Sequence, residues 1–370
     1  MRITTNVDET APTGGVQMNV FQISRELARR GHAVEVLYVD GGPLEDEYRS
    51  FCTLTRIRAE RFDLDILRHP RQQARKTSVI ARAVSSRPDV IYSQRTGTLG
   101  WSLPTKRLTR RPIVCHVHGF VPYRPRQYAL LSRHVDRFIM VSDFMAGQWI
   151  DAGLDPGKIR VIYNGVDPAE YPLGGAAERA RARRVLGLGE DLFVVSYIGR
   201  IDEEKGIETL LDAWRILGLG SGDAHLVIVG SPCYSTFDER VAELRARAAS
   251  NVTFLPVQSD VVTPLHAADV SVVPSIFDEP FGRTVIEGLA TGRPVLGARS
   301  GAIPEILTGA LAELLFDRGD AEALARLLGG LVGWQATRPE LGATCHAHAV
   351  ENFTLARVVD QLEDTFAAMT

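Results

Sequence analysis

Five short stretches carry residues of types and spacing suited to chemistry. In the first, Tyr197-Ile198-Gly199-Arg200 is followed by Asp202-Glu203-Glu204-Lys205-Gly206. An arginine and a lysine five apart, flanking a loop that opens a helix, can converge on a diphosphate without a metal ion. Lys205 also has acidic neighbours with which it could simply pair. The same acids look like a metal patch, but they lack an aspartate pair and sit beside two cations. In the second stretch, Asp278-Glu279-Pro280-Phe281-Gly282-Arg283-Thr284-Val285-Ile286-Glu287-Gly288, two glutamates bracket seven residues. Pro280 and Gly282 predict an extended start, with Glu279 in a loop and Glu287 one to two turns into a helix. Amides near Gly282, Arg283 and Thr284 then point out of that helix's N-terminus, where anions are favoured. Each carboxylate can accept from sugar or ribose hydroxyls, and Glu279 can alternatively serve as a helix N-terminal acid.

The third stretch, His116-Val117-His118-Gly119, ends a strand candidate. Either histidine can be a packed core residue, and His118, beside the glycine, is the one expected to reach a ligand. A dinuclear zinc reading lacks further ligands. The fourth, Thr13-Gly14-Gly15-Val16, precedes a helix, so its amides can approach an anion closely, although such a pair also makes a plain tight turn. Neither a G-x-G-x-x-G nor a Walker-type fingerprint accompanies it. The fifth, Arg68, Arg71, Arg75, Lys76 and Arg82, is a basic segment that reads as a solvated helix face or as a surface for an anionic headgroup or a phosphorylated acceptor.

These stretches need elements to hold them, and short β-branched runs alternating with helix-period segments supply a parallel-sheet pattern. In the first half the strand candidates are Ala33–Val39, Val90–Ser93, Ile113–Val117, Phe138–Val141 and Arg160–Tyr163. Val16, Val20, Ile23 and Leu27 form one helical stripe, which Gly31 ends. In the second half they are Phe193–Ile198, Leu226–Val229, Val252–Leu255, Val270–Val273 and Pro294–Gly297, with Ile207, Leu210, Leu211, Trp214 and Leu217 on a core-facing helix. Pro168–Glu190, rich in proline, glycine and charge, reads as an interdomain connection with one short helix. The fold class expected is α/β, two Rossmann-like domains facing each other across a cleft, over residues 1–168 and 169–354.

A chain of 370 residues exceeds the size of one ordinary core. Its 45% hydrophobic and 24% charged residues exclude a disordered or membrane-spanning class. Cys52, Cys115, Cys233 and Cys345 are scattered without a C-x-x-C pair, which suits idle thiols. The first residues lack a secretory signal pattern, so a cytoplasmic location is expected. Charge divides unevenly: 25 Lys+Arg against 17 Asp+Glu in residues 1–168 leave +8, and the remaining 17 against 28 leave −11. Different solvated surfaces account for this as well as a functional basic face does. No nucleic-acid partner, no metal and no membrane association are expected.

Together the stretches resemble family four of the retaining glycosyltransferases. P-S-x-x-D-E-P-F-G, E-G-L-A-T-G-R-P-V and S-G-A-I-P-E-I occur in family order from Pro274 to Ile306, and G-R-x-x-x-x-K-G at Gly199–Gly206 and N-G-V-D at Asn164–Asp167 add support. The resemblance covers nearly the whole chain. It implies the GT-B fold and a nucleotide-diphosphate sugar as donor, with no further cofactor. It also implies that Gly15 amides, Arg200 and Lys205 hold the diphosphate, assisted by amides around Thr284, and that Glu287 holds the ribose. Glu279, His118 and the amides of Phe281 and Gly282 would hold the transferred sugar, and Pro256–Gln258 would lie near the base. The acceptor implied is a small molecule such as a natural-product precursor. Lipid-linked or polysaccharide acceptors, or mere binding or hydrolysis of the sugar nucleotide, are the alternatives. Two departures stand out: the first strand is short and polar, and Gly301-Ala302 replaces the family's frequent Gly-Gly. The family's last helix commonly crosses back to the first domain, and the stripe Val358, Val359, Leu362 and Phe366 suits that or an ordinary second-domain helix.

Overall fold

The computed structural model describes residues 1–12, 14–57, 79–120, 132–230, 237–258 and 260–370. Thr13, Cys233, Arg68, Arg71, Arg75 and Lys76 lie outside the described residues, whereas Arg82 is described and pairs with the buried Glu35 at 2.6 Å. The chain divides into two compact units, Met1–Asn164 with Leu355–Thr370, and Gly165–Thr354.

The first unit is a seven-stranded sheet of β1 (Arg2–Glu9), β2 (Ala33–Asp40), β3 (Thr53–Arg56), β4 (Val90–Ser93), β5 (Ile113–Val117), β6 (Arg137–Met140) and β7 (Ile159–Val161). Its order is β3-β2-β1-β4-β5-β6-β7, and every pairing is parallel. This is the doubly wound Rossmann order, which reverses between β1 and β4 and so leaves the loops after those strands at a natural binding position. The first strand is neither short nor peripheral: it has eight residues and lies inside the sheet, between β2 and β4. Its polarity is tolerated because the buried side chains are paired. Thr4 Oγ1 meets Ser86 Oγ at 2.7 Å, Thr5 Oγ1 accepts from Gln94 Nε2 at 2.9 Å, and Asn6 Oδ1 accepts from the Gln94 amide at 3.2 Å. The helix Gly15–Arg29 buries Val20, Ile23 and Leu27 on one face, at the three-to-four-residue spacing of a helix that packs on a sheet. Against it lies the last helix, Leu355–Ala367, whose Val358, Val359, Leu362 and Phe366 enter the same core.

The second unit holds β8 (Phe193–Ile198), β9 (Ala224–Val229), β10 (Val252–Leu255), β11 (Val270–Val273), β12 (Val295–Ala298) and β13 (Leu315–Phe316). The order β10-β9-β8-β11-β12-β13, again all parallel, repeats the first sheet's logic and reverses between β8 and β11. The stretch expected as an interdomain connection is instead built into this unit. Its helix Ala176–Leu186 buries Arg183 completely, with the guanidinium 2.8 Å from the buried Asp269 and bonded to the Ala267 carbonyl. Arg179 and Gln335 hold the other oxygen of Asp269. Such a buried charge is tolerable only with partners on every side, and a sequence rich in arginine and glycine does not announce them. Among the described residues no helix is long and apolar enough to cross a membrane.

Candidate active site

In the second unit the loops after β8 and β11 are laced together at the sheet's reversal point. Glu204 O accepts from the amides of Ile276 at 2.9 Å and Phe277 at 3.2 Å. Gly206 makes this approach possible: its φ is +68°, and a Cβ there would stand 2.0 Å from the Pro274 carbonyl oxygen. Lys205 is thereby carried to Glu279, with Nζ 2.6 Å from Oε1 and 4.7 Å from the Phe277 ring centroid. Lys205 does not spend its charge on the acids beside it. Asp202 instead caps the short turn Glu203–Lys205 and pairs with Arg200 at 2.9 Å. Ser275 Oγ donates to the same Glu279 oxygen that Lys205 holds.

Glu279 itself is pinned from behind by the turn after β12. Gly301, at φ +53°, lies so close that a Cβ would sit 2.2 Å from the Glu279 carbonyl oxygen, and the Ala302 amide donates to that oxygen at 2.9 Å. Only glycine fits at 301, whereas Ala302 is fully buried and its methyl is accommodated. Asp278 accepts from the Gly301 amide and pairs with Arg318, tying the loop to the segment that follows β13.

Next comes the helix Arg283–Ala290, whose N-cap is Gly282 at φ +105°. Thr284 stands at its second position, where the amide has no partner within the helix. Phe281 is 3% exposed and packs edge-on against Phe353, so what it can offer a ligand is its backbone. Glu287 lies one turn in and is gripped by Arg283, with Nε at 3.1 Å and Nη2 at 3.0 Å from Oε1. Burial opposes a charge on Arg283, but the Glu287 carboxylate and Tyr171 outweigh it and hold its pKa above the ordinary value.

The first unit contributes Gly15 and the two histidines. Gly15 opens the helix Gly15–Arg29, which has no acid in its first turn to compete with a bound anion. His116 is fully buried, and burial alone pushes its pKa down to about 3, so it is a neutral core residue. His118 is half-buried at the end of β5, with Nε2 3.1 Å from Gln94 Oε1.

The expected residues thus fall into two groups, Gly15 and His118 in one unit, and Arg200, Lys205, Glu279, Phe281, Gly282, Thr284 and Glu287 in the other. Three partners escaped the sequence reading. Arg283 was signalled by its position four before Glu287 on a helix. Ser275 was signalled by its place in the P-S-x-x-D-E-P-F-G run, without a role read for it, and Gln94 carried no local signal. Among the described residues, no group of three or more His, Cys, Asp or Glu is placed to hold a metal ion.

Comparison with known proteins matches residues 13–170 to the family described as Glycosyltransferase Family 4 and residues 178–336 to Glycosyl transferases group 1. D-inositol 3-phosphate glycosyltransferase of Mycolicibacterium gilvum (strain PYR-GCK) is 30% identical, over 95% of this chain and 84% of its own. Two solved structures share the fold. Anabaena Alr3699/HepE in complex with UDP and glucose superposes with a TM-score of 0.85 at 21% identity, covering 99% of both chains. A glycosyltransferase from Rickettsia africae ESF-5 does so at 0.86 and 19%, covering all of this chain and 98% of its own.

Proposed function

This chain belongs to glycosyltransferase family 4, and from that premise we propose that it moves a sugar from a nucleoside-diphosphate donor to a hydroxyl of a small polar acceptor. Transfer retains the anomeric configuration and uses neither metal nor cofactor. The observation that carries the reading is the Lys205–Glu279 pair, a cation and a carboxylate brought together from two loops at the reversal point of one sheet. A diphosphate leaving group gains charge as the glycosidic bond breaks. Fixed cations placed where that charge develops lower the barrier, and Lys205 with Arg200 supplies them, assisted by amides at the start of the helix Arg283–Ala290. Glu279 accepts from hydroxyls of the transferred sugar, His118 offers a second contact to them, and Glu287 takes the ribose. Gly15 brings backbone amides to the phosphates.

UDP is the nucleotide favoured, because HepE was solved with UDP and with UDP-glucose. An inositol phosphate is the acceptor class favoured, because curated relatives are named for D-inositol 3-phosphate. The test is to incubate the protein with a panel of UDP-, GDP- and ADP-sugars, each with and without D-inositol 3-phosphate, and to follow nucleotide release and product mass. The expected result is acceptor-dependent UDP release with a new glycosyl inositol phosphate. Acceptor-independent release would make the protein a hydrolase, and silence with every donor would remove the transferase reading.

A further inference from the structure

The helix Arg283–Ala290 carries a charge pattern that its own stability does not favour. Its first residue is Arg283, although a helix N-terminus disfavours cations and prefers carboxylates. The pair with Glu287 runs from base to acid along the chain, the weaker of the two i,i+4 orders. Both side chains are also buried, at 9% and 11% exposed, where desolvation opposes an ion pair. Local stability therefore does not account for Arg283, and its geometry suggests another role. Nε at 3.1 Å and Nη2 at 3.0 Å both meet Oε1 of Glu287. A carboxylate clamped by two nitrogens of one planar group resists rotation about its last bond, so the directions in which it can accept are set in advance.

Arg283 is itself anchored from outside the helix. Its guanidinium donates to the hydroxyl of the buried Tyr171, a phenol that stays neutral because burial and the Glu287 carboxylate raise its pKa. Tyr171 stands on the turn that follows the N-G-V-D run: its amide donates to the Asp167 carbonyl at 3.0 Å, and the Ala169 amide donates to Asp167 Oδ1 at 2.9 Å. Asp167, Tyr171, Arg283 and Glu287 all belong to the second unit.

We propose that Arg283 is a positioning residue for donor recognition: it holds the Glu287 carboxylate in the orientation that accepts from the ribose hydroxyls, and Tyr171 holds Arg283. The inference rests on the reading of Glu287 as the ribose partner and names what aims it. Arginine suits the task where lysine does not, because its fork is planar and a lysine offers only a point charge. A carboxylate aimed before the ligand arrives spends less of the binding free energy on ordering.

Calorimetry with UDP, GDP and ADP finds the nucleotide bound most tightly, and its 2′,3′-dideoxy form is the comparison. The ratio of the two affinities is the readout, because any effect of Arg283 on the phosphates is common to both ligands and cancels. The parent protein should prefer the ribose form roughly 10- to 100-fold, the usual worth of hydrogen bonds to a charged acceptor. Glu287→Ala should abolish that preference, and Arg283→Leu should lose most of it. Arg283→Lys, which keeps the charge without the fork, should recover only part. Tyr171→Phe should lower the preference in the same direction and guards against an Arg283 variant that fails to fold. A preference that Glu287→Ala abolishes but that stays at the parent level in Arg283→Leu, Arg283→Lys and Tyr171→Phe would overturn the inference alone. No preference in the parent protein, or none of the nucleotides bound, would remove the ribose reading of Glu287 and the inference with it.

Discussion

Lys205 and Glu279 touch at 2.6 Å, and the same carboxylate oxygen also accepts a hydrogen bond from the Ser275 hydroxyl, so Glu279 is held in place rather than free to swing. This arrangement favours positioning over covalent work for Glu279. Retention then follows if attack and departure share one face of the sugar, with the departing diphosphate oxygen taking the acceptor proton. Lys205→Ala is expected to lower kcat roughly 10²- to 10³-fold, the usual loss for one preorganised electrostatic partner, in steady-state assays of UDP release. Glu279→Gln should impair turnover yet leave UDP affinity by calorimetry nearly intact, and an α-linked donor should yield an α-linked product. A glycosyl adduct on Glu279 detected by mass spectrometry would reverse the assignment. At this scale the sequence was readable wherever spacing is local. The Arg283–Glu287 pair sits one helical turn apart and was visible in principle. Lys205 and Glu279 are separated by 74 positions, and only their motifs, not their contact, could be read.

Two elements of the first unit carry their own predictions. Strand β5 buries His116, whose pKa burial pushes from 6.5 down to about 3. In the unfolded chain the imidazole takes a proton below pH 6.5, whereas the buried ring stays neutral until about pH 3. The unfolded state therefore binds more protons across that window, and stability declines as pH falls, by at most about 1.4 kcal/mol per pH unit from this group. Urea denaturation across a pH series should show this slope, and His116→Asn should make it shallower. His225 and His266 shift the same way through burial and will leave a residual slope. The last helix, Leu355–Ala367, is docked by Phe366, which is fully buried and meets the Tyr92 ring edge-on at 5.2 Å. Salt bridges from Arg30 to Asp360 and Glu363 flank it. Phe366→Ala should destabilise the first unit by about 3–5 kcal/mol, read as loss of amide-exchange protection in β1 and β4. Protection that stays at the parent level would mean the helix is dispensable to that core.

For the whole molecule, the expectation is turnover that survives chelation, since Arg200, Lys205 and helix-start amides can offset the leaving-group charge. Loss of activity with EDTA, restored specifically by magnesium or manganese, would refute it. Sequence alone determined that the chain makes two parallel α/β units. Strand–helix alternation and the motifs are written in contiguous residues, and β4, β5, β8, β10 and β11 fall where periodicity places them. Edge strands such as β13, two residues long, are too short to leave a periodic signal. Only the tertiary structure decided which core the final helix joins, because an apolar stripe specifies that a face is buried and not against what. It alone made a polar run the interior strand β1, because the partners that satisfy Thr4, Thr5 and Asn6 come from residues more than eighty positions away. The buried Arg183–Asp269 contact is the same case: 86 positions separate the two residues, and neither charge could be read as buried until the fold had brought them together.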